Sequence, residues 1–191
     1  MIFQAVIFTL AAMTAPVFAE EWKKIEPAES ALVVALPGLK DAKPTYFDRA
    51  EGKPAAGSEP AVPTTDKAGY AAAGTLGVFW YEFVNGQAAW RDAGLRAVVE
   101  DLDWIADKNL VFARTEQAYF RGNAEGKLRL FTYRPQNADR PCVVGQYARS
   151  GSQISERVTA IICKPAGTQM DMAEARRLID GVGTKSLPPA M

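Results

Sequence analysis

The chain has 191 residues, with 22 basic and 22 acidic side chains and no histidine. Without imidazole it has no Ser-His-Asp or Cys-His nucleophile, no imidazole base near neutral pH and none of the commonest metal ligand. No Ser-x-x-Lys occurs either, so a carboxylate pair of the glycosidase kind is the catalytic chemistry the composition leaves open.

Residues 1–19 read as an address. An uncharged run from Ile2 to Ala12 leads to Pro16 and Val17-Phe18-Ala19, with Glu20, Glu21, Lys23 and Lys24 beyond, the pattern of a secretory signal cleaved after Ala19. The apolar run is short for a bilayer, and Pro16 interrupts a continuing helix. An uncleaved anchor is the alternative, since no Lys or Arg precedes the run. The reading predicts a periplasmic or secreted protein with no stable membrane span after cleavage. Position 20 is Glu, so the lipid-bearing cysteine of a lipoprotein is absent.

Beyond the signal, Ala31 to Leu36 is a short apolar run stopped by Pro37-Gly38, which fits a strand. Residues 50–68, with Gly52, Pro54, Gly57, Pro60 and Pro63, read as a loop or linker. The stretch 76–84 is dense in Val78, Phe79, Trp80, Tyr81, Phe83 and Val84, and it ends at Asn85-Gly86, a strand and hairpin signal. Leu95, Val98, Val99, Leu102, Ile105 and Ala106 then recur at helical spacing and predict a helix over about residues 92–108. Its acidic residues Glu100, Asp101, Asp103 and Asp107 invite a calcium reading. Ile105 and Ala106 occupy the places where a calcium loop needs an oxygen ligand and the glycine of its sharp turn, so a solvated helix face is expected.

From residue 109 the period becomes that of a sheet. Strands are predicted at 111–120, 127–133, 142–148 and 157–163, separated by Gly122-Asn123, by residues 135–141 and by residues 150–155. Cys142 and Cys163 are the only two thiols. In an oxidising compartment they are expected to pair; two thiolates without histidine leave a zinc site short of ligands, and no Cys-x-x-Cys supports redox exchange. If the bond joins neighbouring strands, partner numbers sum to 305. Val143, Gly145 and Tyr147 then face Ile162, Ala160 and Val158 on a core face, and the disulfide lies on the opposite one.

A last helix is predicted from an N-cap at Thr168, with Asp171 at its third position and Met172, Ala175, Leu178, Ile179 and Val182 as its apolar stripe. Gly181 and Gly183 supply the stop, and residues 184–191 are expected to be a loose tail. The order predicts a single α+β domain over 20–183: a mainly antiparallel sheet with one central helix and one C-terminal helix packed on it.

Arg140-Pro141-Cys142-Val143, a polar turn, Ile161-Ile162-Cys163-Lys164-Pro165-Ala166-Gly167 and the helix ending Leu178-Ile179-Asp180-Gly181 resemble the C-terminal half of small exported bacterial proteins of unknown function. The resemblance spans residues 127–183 and brings no active residues with it.

Two functions stay open. Residues 121–164 carry 8 basic and 3 acidic side chains, against 11 and 16 in residues 20–120. Arg121, Lys127, Arg129, Arg134, Arg149 and Arg157 are therefore candidate contacts to an anionic envelope component or periplasmic partner protein, unless they pair within the fold. The second function is a hydrolase of envelope glycans using Glu82 and Glu116, with Trp80 and Tyr81 stacking on sugar rings. No cofactor or metal is called for, and no nucleic-acid motif is present.

Overall fold

A computed structural model describes residues 22–37, 44–49, 64–72, 75–85, 95–100, 110–134 and 138–190. The signal expected at 1–19, residues 50–63 of the expected loop, and the flanks of the expected central helix lie outside these. In chain order the described elements are β1 (Trp22–Ile25), β2 (Leu32–Val34), β3 (Thr45–Arg49), β4 (Thr64–Ala72), β5 (Thr75–Asn85), α1 (Leu95–Glu100), β6 (Leu110–Arg121), β7 (Ala124–Tyr133), β8 (Arg140–Arg149), β9 (Ile154–Cys163), α2 (Met172–Asp180) and β10 (Val182–Thr184). Eight strands form one antiparallel sheet ordered β1-β3-β4-β5-β9-β8-β7-β6, while β2 pairs with β10 in a separate ladder. Mostly antiparallel sheet with helix packed on it is the expected class in its coarse form.

The centre of the sheet is where the apolar runs are longest. Cys142, Val143, Val144 and Gly145 of β8 are all buried, as are Ala160 to Cys163 of β9. A continuous buried run, rather than alternation, marks a strand covered on both faces. The register is the predicted one, with Cys142 opposite Cys163 and Val143 opposite Ile162. The expectation of a single core face is corrected: the disulfide side is a second core.

On one face Phe79, Tyr81, Leu128, Val143, Tyr147, Val158, Ala160 and Ile162 meet Ala175, Leu178 and Ile179 of α2 and Leu32 and Val182 of the small ladder. Gly145 lets the helix come this close. A Cβ there would lie 2.9 Å from the Ile179 side chain and 2.8 Å from that of Leu128, inside normal contact. On the opposite face Phe131, Tyr133, Cys142, Val144, Ile161 and Cys163 pack under Leu95 and Val99, one turn apart on α1. Of the helix expected over 92–108, Leu95–Glu100 is helical and the remainder lies outside the described residues.

Several local expectations are corrected. Asp171, not Thr168, caps α2: its carboxylate accepts the Glu174 N–H at 2.7 Å, while the Thr168 hydroxyl donates to the Pro165 carbonyl in the preceding turn. Residues 64–68, read as loop, belong to β4 and are held by ladder bonds to β3 and β5. The hairpin expected at Asn85-Gly86 lies outside the described residues beyond Asn85; the neighbours of β5 in the sheet are β4 and β9. Gly122, at φ +57°, does supply the two-residue turn between β6 and β7.

Residues 185–190, expected to be loose, are held by hydrogen bonds. The Lys185 N–H donates to the Ala31 carbonyl at 3.0 Å, that of Ala190 to Asp180 at 3.0 Å, and the Arg121 guanidinium to the Pro188 carbonyl. Leu187 packs against the core as well, so the segment is held both by apolar contact and by buried donors and acceptors that require it as a partner.

Candidate functional site

Because residues paired across an antiparallel ladder share a face, the registers lay out the α1 side of the sheet as rows. One row runs Phe120, Glu125, Ala148, Arg157, Glu82 from β6 to β5. The next runs Ala118, Lys127, Gln146, Thr159, Trp80, and the third runs Glu116, Arg129, Val144, Ile161, Val78. From Val144 and Ile161 onward the face is apolar and lies under α1. Between Phe120 at one end and Trp80 at the other the first two rows are polar or small, and there the face opens into a cleft of about 560 Å³ bordered by Leu95.

Sequence order explains the cleft. Ala118, Gly126 and Ala148 line it as small residues, so the floor sinks between the longer side chains on either side. Phe120, at the edge strand, is the one large hydrophobic side chain exposed among the described residues, at 66%. At the inner end Arg157 donates from Nε and Nη2 to the two Glu82 carboxylate oxygens, at 2.7 and 2.8 Å. Between them the Gln146 amide donates to the Thr159 hydroxyl at 3.0 Å. The polar groups are thus fixed before any ligand arrives.

The six basic candidates do not form one surface. Arg129 pairs with Glu116 at 3.2 Å, Arg149 with Glu156 at 2.6 Å and Arg157 with Glu82 at 2.7 Å, each directly across a ladder. Arg134 pairs with Asp139 at 2.6 Å, both side chains exposed, and Lys127, though exposed, has a partner of its own. Arg121 is buried, donating to the carbonyls of Val182 and Pro188 and to the Tyr147 hydroxyl. Strand pairing thus sets three of the six against carboxylates, two of which, Glu82 and Glu116, come from the acidic part of the sequence.

The hydrolase candidates are not brought together. Glu82 and Glu116 face the same way, but β5 and β6 are separated by β9, β8 and β7. Four inter-strand steps of about 4.8 Å put them roughly 19 Å apart across the sheet, whereas a carboxylate pair works at about 5 to 10 Å. Each also neutralises an arginine. Tyr81 is buried on the α2 face, and Trp80 packs against the core under α1.

A second polar cluster lies on the α2 side. Glu156, 4% exposed, accepts from Arg149, Tyr81 and Ser186. Tyr119 donates to the Asp180 carboxylate at 2.6 Å, and Tyr147 donates to the Val182 carbonyl at 3.1 Å. Burial pushes the Tyr119 hydroxyl well above the usual tyrosine range, and the Asp180 carboxylate that accepts its proton adds to the push. Tyr147 is raised by burial too, with the Arg121 cation opposing in part. This cluster is filled by the chain itself: its donors and acceptors clamp β10 and the C-terminal segment.

Cys142 and Cys163 are joined, fully buried, with their Cα atoms 4.1 Å apart. A buried bond between neighbouring core strands is a staple and has no route to an external thiol. Among the described residues no three carboxylates or thiols are grouped to hold a metal ion, and no helix is long and apolar enough to cross a membrane.

Single residues did not point to the cleft. Phe120 reads as one more alternating strand residue, and Gln146 and Thr159 gain meaning once the β8–β9 register aligns them. In comparisons with known proteins, the chain matches no family model, no curated protein and no solved structure.

Proposed function

We propose that this is an exported, non-catalytic protein that binds a component of the cell envelope, or a periplasmic partner, through the cleft on the α1 side of the sheet. The observation that carries the reading is the opening of that face. A sheet side covered by core at one end gives way to a cleft of about 560 Å³ with fixed polar groups on its floor, within the size range of small-molecule and glycan sites. Export is supported by the signal at 1–19 and by a structural disulfide, which persists in oxidising compartments. A binding role rather than catalysis is supported by the side chains lining the cleft. The carboxylates there are too far apart or already paired, and no nucleophile lies beside a base.

The test is site-directed crosslinking in intact cells. A photoreactive amino acid at Ala148, in the cleft, should capture an envelope component, and the same group at Asp171, on the exposed start of α2, should not. Equal capture at both sites, or none at Ala148, overturns the reading.

A further inference from the structure

The chemistry of the cleft also specifies its ligand, and this step rests on the binding role just proposed. We infer that the cleft takes an uncharged, hydroxyl-rich chain, an oligosaccharide, with one sugar ring stacked on Phe120 and its neighbours read by the side chains that run inward from it.

Three observations lead there. The first is charge. The three rows contain Glu82, Glu116 and Glu125 against Arg129, Arg157 and Lys127, so the site has no net attraction for an anion. A phosphate or carboxylate ligand would have to displace Glu82 from a two-bond grip on Arg157 whose side chains are only 17% and 19% exposed. It would also meet the repulsion of Glu116 and Glu125. A cationic ligand meets the same obstacle with the signs reversed.

The second observation is that the cleft lies on a sheet face. Backbone N–H and C=O groups in β7, β8 and β9 are spent on their ladders, so a ligand lying on this face can be read only by side chains. A peptide strand gains its affinity from main-chain bonds at a sheet edge. The β6 edge is partly guarded against that, because Arg176 donates from α2 to the Ala118 carbonyl at 3.0 Å and to the Gln117 side chain at 3.2 Å.

The third is the set of groups available. Phe120 offers an exposed aromatic face for the apolar C–H side of a sugar ring. Glu125, Gln146 and Arg157 line the cleft with planar polar groups suited to adjacent hydroxyls. Three inter-strand steps separate Phe120 from Arg157, roughly 14 Å, a span of several sugar units. Gln146 and Arg157 are already oriented by Thr159 and Glu82, so binding orders few side chains.

The mature protein, residues 20–191, is titrated by calorimetry with a β-1,4-linked N-acetylglucosamine tetramer, with maltoheptaose and with vesicles containing phosphatidylglycerol. At least one of the two uncharged oligosaccharides should bind, with an affinity changing less than about twofold between low and high salt, since no ion pairing is involved. Phe120→Ala should weaken that binding by about two- to tenfold, matching the loss of one aromatic contact. Phe120→Tyr should restore it, and both variants should keep the parent unfolding midpoint. Failure of both oligosaccharides to bind, or binding indifferent to Phe120→Ala, overturns the inference. Salt-sensitive binding to the vesicles in place of the sugars overturns it too. With capture at Ala148 still observed, the envelope-binding role would then survive its ligand assignment; with no capture, both fall.

Discussion

Replacing Cys142 and Cys163 together with alanine should remove roughly 4 to 5 kcal/mol of stability, and the structure separates that loss into two parts. The bond closes a loop with a sequence separation of 21, for which the loss of unfolded-chain entropy is worth about 3 kcal/mol. Both sulfurs are fully buried against Val144, Ile161 and α1, so deleting them leaves a void costing about 1 kcal/mol or somewhat more. Alanine is the appropriate replacement, because serine would bury two hydroxyls at a further cost of about 1 to 3 kcal/mol each. Urea unfolding followed by far-UV circular dichroism and tryptophan fluorescence separates the parts. Wild-type protein unfolded in the presence of reductant should lose about 3 kcal/mol, because the sulfurs still fill the core. The double variant should lose the void term as well, and both should unfold with a steeper urea dependence, since the freed chain exposes more surface. Equal midpoints for oxidised and reduced protein would refute the entropic argument. Equal midpoints for reduced protein and double variant would refute the packing argument.

Stability should fall on the alkaline side. Tyr119 and Tyr147 are raised in the folded state above their ordinary 10.0, so their contribution is complete below that pH and is lost as pH climbs towards their folded values. The slope should approach about 1.4 kcal/mol per pH unit for each tyrosine, and Tyr119→Phe/Tyr147→Phe should flatten it in urea titrations across that range. Stopping the chain after Thr184 strips Ser186 from buried Glu156 and Pro188 from buried Arg121, and should cost about 3 kcal/mol. A midpoint unchanged by the truncation would mean the segment is the loose tail its composition suggests. Asp171→Ala removes the α2 cap and should cost about 1 kcal/mol, with Asp171→Asn recovering most of it. A double-mutant cycle on Glu82→Gln and Arg157→Gln should give a coupling of about 1 to 3 kcal/mol for a two-bond, mostly buried pair.

What the sequence made legible follows physical range. The β8–β9 register could be read because two cysteines and three apolar pairs all agreed on one sum, and the α2 stripe from Met172 to Ile179 because its period repeats within one element; Val182, counted with that stripe, belongs instead to β10. Strands β1, β3 and β4 were missed. Segments such as Thr64-Thr65-Asp66-Lys67 have no apolar alternation of their own, and they are strands because neighbours supply their ladder bonds. The charges misled for a related reason. Arg157 and Glu82 are 75 positions apart in sequence and adjacent in space, so only the β5–β9 pairing reveals that they neutralise each other. Nothing in the sequence announces that pairing, and the cleft depends on it.

The position of β9 bears on how the chain comes to be folded at all. It is the last strand of the large sheet to be synthesised, yet it sits at the centre, joining the β1–β5 half to the β6–β8 half. Until residues 154–163 emerge, β5 presents Val78, Phe79, Trp80 and Tyr81 along an open central edge with no strand to cover it. Such an edge is prone to self-association, and long-range closure of this kind is slow. A chain built this way cannot complete its core domain by domain as it leaves the ribosome. Its sheet can close only when nearly all of it is available, a delay compatible with the export proposed above.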